Sequence, residues 1–310
     1  MYMFDNKLTI EDRGFIEPYL NGFEHETSGL TFSSLYMWRN INNFCWQKIG
    51  EYLCISGISH LEMEKGIKLP FMHIPLAADG KYNPKTLRET ILEAREIFES
   101  KGQPFSIRLV PSHMMDFLSQ AFPEGLEVTD DRENYDYVYR KDDLIELKGR
   151  NYHAKKNHLN YFKANNEYTY EVMTPEHTDE AMAFIRAFDE HKDIPASEMQ
   201  FLEMEERAMT DALRNVGDLY RGGIVRIDGK IEALYLWGRL GAYTAVEHVE
   251  KANAQYRGLY QLINNEFCRN LPEHIKFVNR EEDMGLQNLR KAKLSLKPSK
   301  LVQKFIVTIK

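Results

Sequence analysis

The chain has 310 residues, 43% of them hydrophobic and 28% charged, with a net charge of −7. Such a composition is that of a water-soluble globular protein, and its length fits two domains of about 150 residues each. The acidic balance argues against indiscriminate nucleic-acid binding, though a local basic site stays compatible with it. No apolar run approaches the roughly 18 residues of a membrane span, and the start, Met-Tyr-Met-Phe-Asp5, carries no basic or apolar leader. Cys45, Cys54 and Cys268 lack metal-ligand spacing and are odd in number, so a reduced, cytoplasmic setting and no metal are expected.

In chain order, a helix is expected near Thr9–Leu20, followed by the aromatic stretch Leu30–Trp38. Phe44–Ile49 and Tyr52–Ser56 read as paired strands across Gly50-Glu51, and Phe71–Ile74 as an edge strand stopped by Pro75. From Pro84 to Ser100 the spacing of Leu87, Ile91, Ala94 and Phe98 predicts an amphipathic helix, ended by Gly102 and Pro104. Strand Phe105–Val110, helix Ser112–Ala121 and strand Tyr135–Tyr139 complete a first half.

The second half opens with a helix over Arg150–Asn165 and another after the Thr174-Pro175 cap, the latter burying Met182, Ile185 and Phe188. Ser197 and Gln200 form a capping box for a third helix, running to about Asn215. The hairpin Tyr220–Trp237 turns at Asp228-Gly229, where glycine supplies the positive φ of a tight turn. A strand Tyr243–Glu250, a glycine turn Gln255–Tyr260, a helix burying Leu259, Leu262, Ile263 and Phe267, and a strand Lys276–Asn279 follow. Leu301–Ile309 closes the chain as one strand. The shared order of helices, hairpin, strand–helix pair and closing strand implies two diverged copies of one α+β unit, residues 1–143 and 144–310.

Four clusters carry candidate chemistry. Lys148, Arg150, Lys155, Lys156 and Lys163 lie among Tyr152, Tyr161 and Phe162, with no carboxylate between Glu146 and Glu167. Cations that take phosphate and aromatics that stack on bases suit a phosphate-rich ligand; a solvated helix with Leu159 and Phe162 turned inward fits the same pattern. Asn279-Arg280-Glu-Glu282-Asp283 follows a strand C-terminus, where open sheets bind ligands. Its crowded carboxylates suit a base or a grip on an ammonium group, and equally a polar loop neutralised by Arg280. Glu247 and His248 are neighbours on one strand, so alternation sends them to opposite faces; His248-x-Glu250 lacks a third metal ligand. Finally Arg290, Lys291 and Lys293 form a basic run before Pro298.

The strand, glycine turn and helix resemble the centre of a GNAT-type acyltransferase domain, whose Arg/Gln-x-x-Gly-x-Gly/Ala turn cradles a pyrophosphate. Gln255 and Gly258 match, with Arg257 between them, while Tyr260 stands in place of the small residue. The run Lys148-Gly-Arg-x-x-x-x-Lys-Lys-Asn-His-Leu-Asn-x-Phe162, with Asn279-Arg-Glu-Glu-Asp-x-Gly-x-x-x-Leu-Arg-Lys-Ala-Lys-Leu-Ser295, resembles the DUF2156 family, related to the C-terminal domain of phosphatidylglycerol lysyltransferases. That resemblance covers nearly the whole chain. It implies two tandem GNAT-like domains and an aminoacyl- or acyltransferase, kin to the Fem-type enzymes.

The donor would be aminoacyl-tRNA or acyl-CoA, and the acceptor an amine or hydroxyl of a small molecule, peptide or lipid. The expected assignment gives base or ammonium-gripping roles to Glu282 or Asp283, with Glu247 in reserve. Arg150, Lys155, Lys156, Gln255, Arg257, Gly258 and Lys293 would serve the donor's phosphates, and His248, Asn279 and Arg280 would line the cleft. A GNAT-fold binding module without catalysis and an acetyl-CoA-dependent N-acetyltransferase are the alternatives; Tyr260 favours the first and a measurable CoA affinity would mark the second.

Overall fold

The structure, a computed structural model, describes residues 2–58, 69–190 and 196–310. The first elements are β1 (Asn6–Lys7), α1 (Arg13–Asn21), α2 (Phe32–Trp38), β2 (Cys45–Ile49), β3 (Tyr52–Ile58), β4 (Pro70–Met72), β5 (Leu76–Ala77), α3 (Pro84–Ser100), β6 (Ile107–Pro111), α4 (Met115–Ala121) and β7 (Leu126–Asp130). Then come β8 (Asp136–Arg140), α5 (Lys141–Glu146), α6 (His153–Asn165), β9 (Thr169–Val172), α7 (Thr178–Glu190) and α8 (Ala196–Arg214). The last are β10 (Arg221–Ile227), β11 (Lys230–Leu240), β12 (Thr244–Ala252), α9 (Leu259–Asn270), β13 (Phe277–Asn279), α10 (Gln287–Ser295), β14 (Lys300–Val302) and β15 (Lys304–Ile309).

These elements pack as two compact units. One comprises Met1–Asp136, Glu282–Gln287 and Leu301–Lys310; the other comprises Tyr137–Glu281 and Asn288–Lys300. The fold is mixed α+β, with two units each built on its own sheet.

The first unit's sheet has the order β1-β2-β3-β4-β6-β15-β7, with β5 against β3. Local chemistry sets its helices. Asn83 caps α3 by accepting from Lys85 N at 2.9 Å and Thr86 N at 3.3 Å, ahead of a proline in the first turn. The expected stripe Leu87, Ile91, Ala94 and Phe98 is buried. The strand expected at Phe71–Ile74 is not at an edge: β4 lies between β3 and β6, and every residue of it is buried. The expected single strand Leu301–Ile309 is split at Gln303, β14 pairing in one sheet and β15 in the other. Strands β7 and β9 had no counterpart among the sequence-based expectations.

The second sheet has the order β14-β8-β13-β12-β11-β10-β9. Asp228 (φ 51°) and Gly229 (φ 79°) make the β10–β11 turn as expected. The helix after Thr174-Pro175 forms, with Ile185 buried and Met182 and Phe188 half-buried. The Ser197–Gln200 capping box lies outside the described side chains. Strands β12 and β13 run parallel and pair at Thr244↔Phe277, Ala245↔Val278 and Val246↔Asn279. Pairing then stops, while β12 continues to Ala252.

A similar local arrangement occurs in both units at this point. In the first unit β4 and β6 are also parallel and pair at Met72↔Ile107. After Ile107 comes Arg108 and then Leu109 at φ 56°; after Asn279 comes Arg280 and then Glu281 at φ 57°. Both units thus place an arginine and a left-handed residue where two parallel strands part.

Candidate active site

The parting of β12 from β13 is filled by one cation and two carboxylates. Arg280 Nε lies 2.5 Å from Glu247 Oε2, and its Nη2 lies 3.0 Å from Glu250 Oε2. Residues three apart on a regular strand face opposite ways. A bulge removes that difference: Leu236 pairs with Val249 but Trp237 with Glu247, leaving His248 as the extra residue. Glu247 and Glu250 therefore both reach Arg280. The sequence reading missed Glu250 because a bulge leaves no mark in an otherwise regular β pattern.

Electrostatics follow from burial. Glu247 is 5% exposed, and its Oε1 has no hydrogen-bond partner among the described residues. Burial pushes the Glu247 carboxyl well above the usual carboxylate range; Arg280 opposes the rise and neighbouring Glu250 adds to it. Burial by itself would weaken Arg280 as a cation, but Glu247 and Glu250 hold its pKa above the ordinary value. Arg280 is the permanent charge of the site, and Glu247 is the carboxylate whose proton affinity burial raises. Lys155 is half-buried and its pKa is lowered, first by burial and then by Arg280. Tyr260 is raised by burial and by Glu250.

The backbone beneath Arg280 is fixed from several sides. Lys293 Nζ donates to Arg280 O, and Tyr139 Oη donates to Lys293 O at 2.9 Å. Arg280 N donates to Tyr137 O at 2.9 Å. Asn279 is fully buried, and its Oδ1 accepts from Glu281 N at 2.8 Å. His248 Nδ1 lies 2.9 Å from Glu281 Oε1. Glu247, His248, Asn279, Arg280 and Lys293 are therefore brought together, joined by Glu250 and Glu281.

Other sequence candidates lie elsewhere. Glu282 and Asp283 pack with the first unit. Asp283 is fully buried; its Oδ2 accepts from Arg132 Nη1 at 3.2 Å and its Oδ1 from Gly285 N at 3.0 Å. Gly258 starts α9 at φ 94°, but a Cβ built there would sit 2.2 Å from His158 O, so α6 covers that side of the turn. Arg257 is exposed, with its guanidinium 4.6 Å from the Tyr161 ring centroid and Nε 3.4 Å from His158 Nδ1. Gln255, Arg150 and Lys156 are exposed. On α6, Leu159 and Phe162 are buried, as the solvated-helix reading expects.

No cluster of three or more metal-ligating side chains occurs among the described residues, and none of their helices is long and apolar enough to cross a membrane.

This fold is shared with FemX and with a lysylphosphatidylglycerol synthetase C-terminal domain. The family model described as phosphatidylglycerol lysyltransferase, C-terminal, matches residues 21–308, and the chain belongs to that family. A conserved protein of unknown function from Bacteroides thetaiotaomicron VPI-5482 is 29% identical, with 98% of this chain and 99% of that one aligned at a TM-score of 0.86. The C-terminal domain (DUF2156) of a putative lysylphosphatidylglycerol synthetase from Agrobacterium fabrum is 12% identical over 96% and 91% of the two chains, with TM-score 0.62. FemX shares the fold at 10% identity and TM-score 0.60, over 99% and 98%. No curated protein matches the chain by sequence.

Proposed function

We propose that the second unit is the catalytic one and that the chain transfers an aminoacyl group from aminoacyl-tRNA to an amine or hydroxyl acceptor in the cytoplasm. One observation carries the reading: a buried carboxylate, Glu247, with a raised pKa, whose Oε1 finds no hydrogen-bond partner among the described residues, beside a permanently charged arginine. Such a group is a base held ready for a proton.

The acceptor's N–H or O–H would attack the ester carbonyl, its proton passing to Glu247. The new bond forms as the carbonyl–ribose oxygen bond breaks, and the proton passes from Glu247 to the departing ribose oxygen, which leaves as a hydroxyl. Lys155, Lys156 and Arg150 on and before α6 would hold the donor's phosphates, with Arg257 and Gln255 at the neighbouring turn. In this assignment Asp283 positions its loop through Arg132, and Asn279 and Lys293 position Arg280.

A CoA donor fits less well. The glycine turn is closed on one side by α6, and Tyr260 occupies the place of the small residue. The acceptor's class, whether small molecule, peptide or lipid, is left to assay. Glu247→Gln tests the base: single-turnover transfer should fall by about 100-fold or more while donor affinity stays within about 3-fold. Full transfer by this variant would remove Glu247 from the chemistry.

A further inference from the structure

We propose that His248 and Glu281 form a clasp that positions Arg280 against Glu247 and Glu250; this rests on the reading of Arg280 and Glu247 as the reactive centre. Beyond Val246↔Asn279 the gap between β12 and the chain after β13 is crossed by two consecutive pairs of opposite polarity. Glu247 on the strand meets Arg280 on the loop, and His248 on the strand meets Glu281 on the loop. The bulge makes this possible, because it lets adjacent strand residues reach adjacent loop residues.

Glu281 is an unusual residue for its backbone. At φ 57° it occupies the left-handed region, which disfavours a side chain with a Cβ and suits glycine. Three contacts over-determine it: Glu281 N to Asn279 Oδ1 at 2.8 Å, Tyr137 N to Glu281 O at 3.1 Å, and His248 Nδ1 to Glu281 Oε1 at 2.9 Å. Strain held in this way marks a side chain required at its site. The His248 side chain is wholly buried, with its ring edge-on to Tyr220 at 5.7 Å and 81°. It cannot swing away, so it fixes the carboxylate, and the carboxylate fixes the turn that aims Arg280.

The test separates backbone from side chain. Glu281→Gly suits the left-handed φ and should leave the melting temperature no lower than in the parent. It should nevertheless speed hydrogen exchange at Arg280 Nε–H, read by nitrogen-15 NMR, by about 10-fold or more as the pair with Glu247 loosens. Turnover should drop by about 10-fold or more with the donor KM within about 3-fold, the signature of misplaced machinery. Glu281→Gln still accepts a hydrogen bond from His248 and should keep the protection. Unchanged Arg280 exchange in Glu281→Gly, or equal loss in both variants, overturns the clasp. Faster exchange in Glu281→Gly in a protein that shows no transferase activity would uphold the clasp and sink the reading of the reaction instead.

Discussion

Arg280→Met removes the positive charge that bridges Glu247 and Glu250 while keeping most of the side-chain volume. At 2.5 and 3.0 Å and an effective dielectric of about 20, each contact is worth up to about 7 kcal/mol before dehydration is charged against it. Breaking a buried pair typically costs about 3–5 kcal/mol, because the surviving charge is left in a poor solvent. The Glu247 carboxyl, already raised by burial, should rise further without Arg280. In the variant the folded state then binds a proton that the unfolded state releases, so its stability falls as pH increases. The loss should thus reach about 3–5 kcal/mol at pH 8 and shrink by about half at pH 5. Urea unfolding followed by Trp237, in a background with Trp38 and Trp46 replaced by phenylalanine, reports on the second unit alone. Adding Glu247→Gln should recover at least about 1 kcal/mol at pH 8. A cost below about 1 kcal/mol that does not change with pH would refute the electrostatic account of the cluster.

Three further outcomes are expected. His73 is fully buried, and desolvation lowers its pKa from 6.5 to about 3, so the unfolded state alone takes up a proton as pH falls through 6.5. Stability should therefore be lost between pH 6.5 and 3, by up to about 5 kcal/mol from this residue, and acid titration of His73→Phe should lack that component. Gly258→Ala should cost about 2–4 kcal/mol in thermal or urea unfolding, since a Cβ at φ 94° would press 2.2 Å from His158 O; a neutral result would mean that α6 does not cover the turn. Lys155→Ala with Lys156→Ala should weaken tRNA binding mainly at low salt and reduce the salt slope by about 1–2, whereas an unchanged slope would take both residues out of the donor site.

Much of the framework could be read directly from residues. The α3 stripe, the Asp228-Gly229 turn and the helix after the glycine turn carry strong periodicity or turn chemistry, and each forms where expected. Strands β7 and β9 escaped because they are short and bury no residue, so each offers only two apolar positions, Leu126 and Val128 or Tyr170 and Val172, as a signal. The division of the last strand at Gln303 is a matter of which sheet each half joins, and neither half's sequence records it.

The site divides in the same way. Asn279 and Arg280 stood out as polar residues at a strand end, where the sheet opens, and Glu247 as a carboxylate within a strand. Glu250 did not, because only the bulge at His248 turns it toward Arg280. Nor could sequence show that Asp283 is engaged by Arg132, a partner 151 residues away, or that Gly258 faces a helix rather than open space.

The central claim is that this chain works on an aminoacyl ester carried by RNA. Equilibrium binding of aminoacyl-tRNA, deacylated tRNA and acetyl-CoA, each at two salt concentrations, tests it most directly. The account predicts tighter binding of the charged than of the deacylated tRNA, weakening at higher salt, with no appreciable affinity for acetyl-CoA. Equal affinity for the two tRNAs, or saturable binding of acetyl-CoA alone, would contradict it.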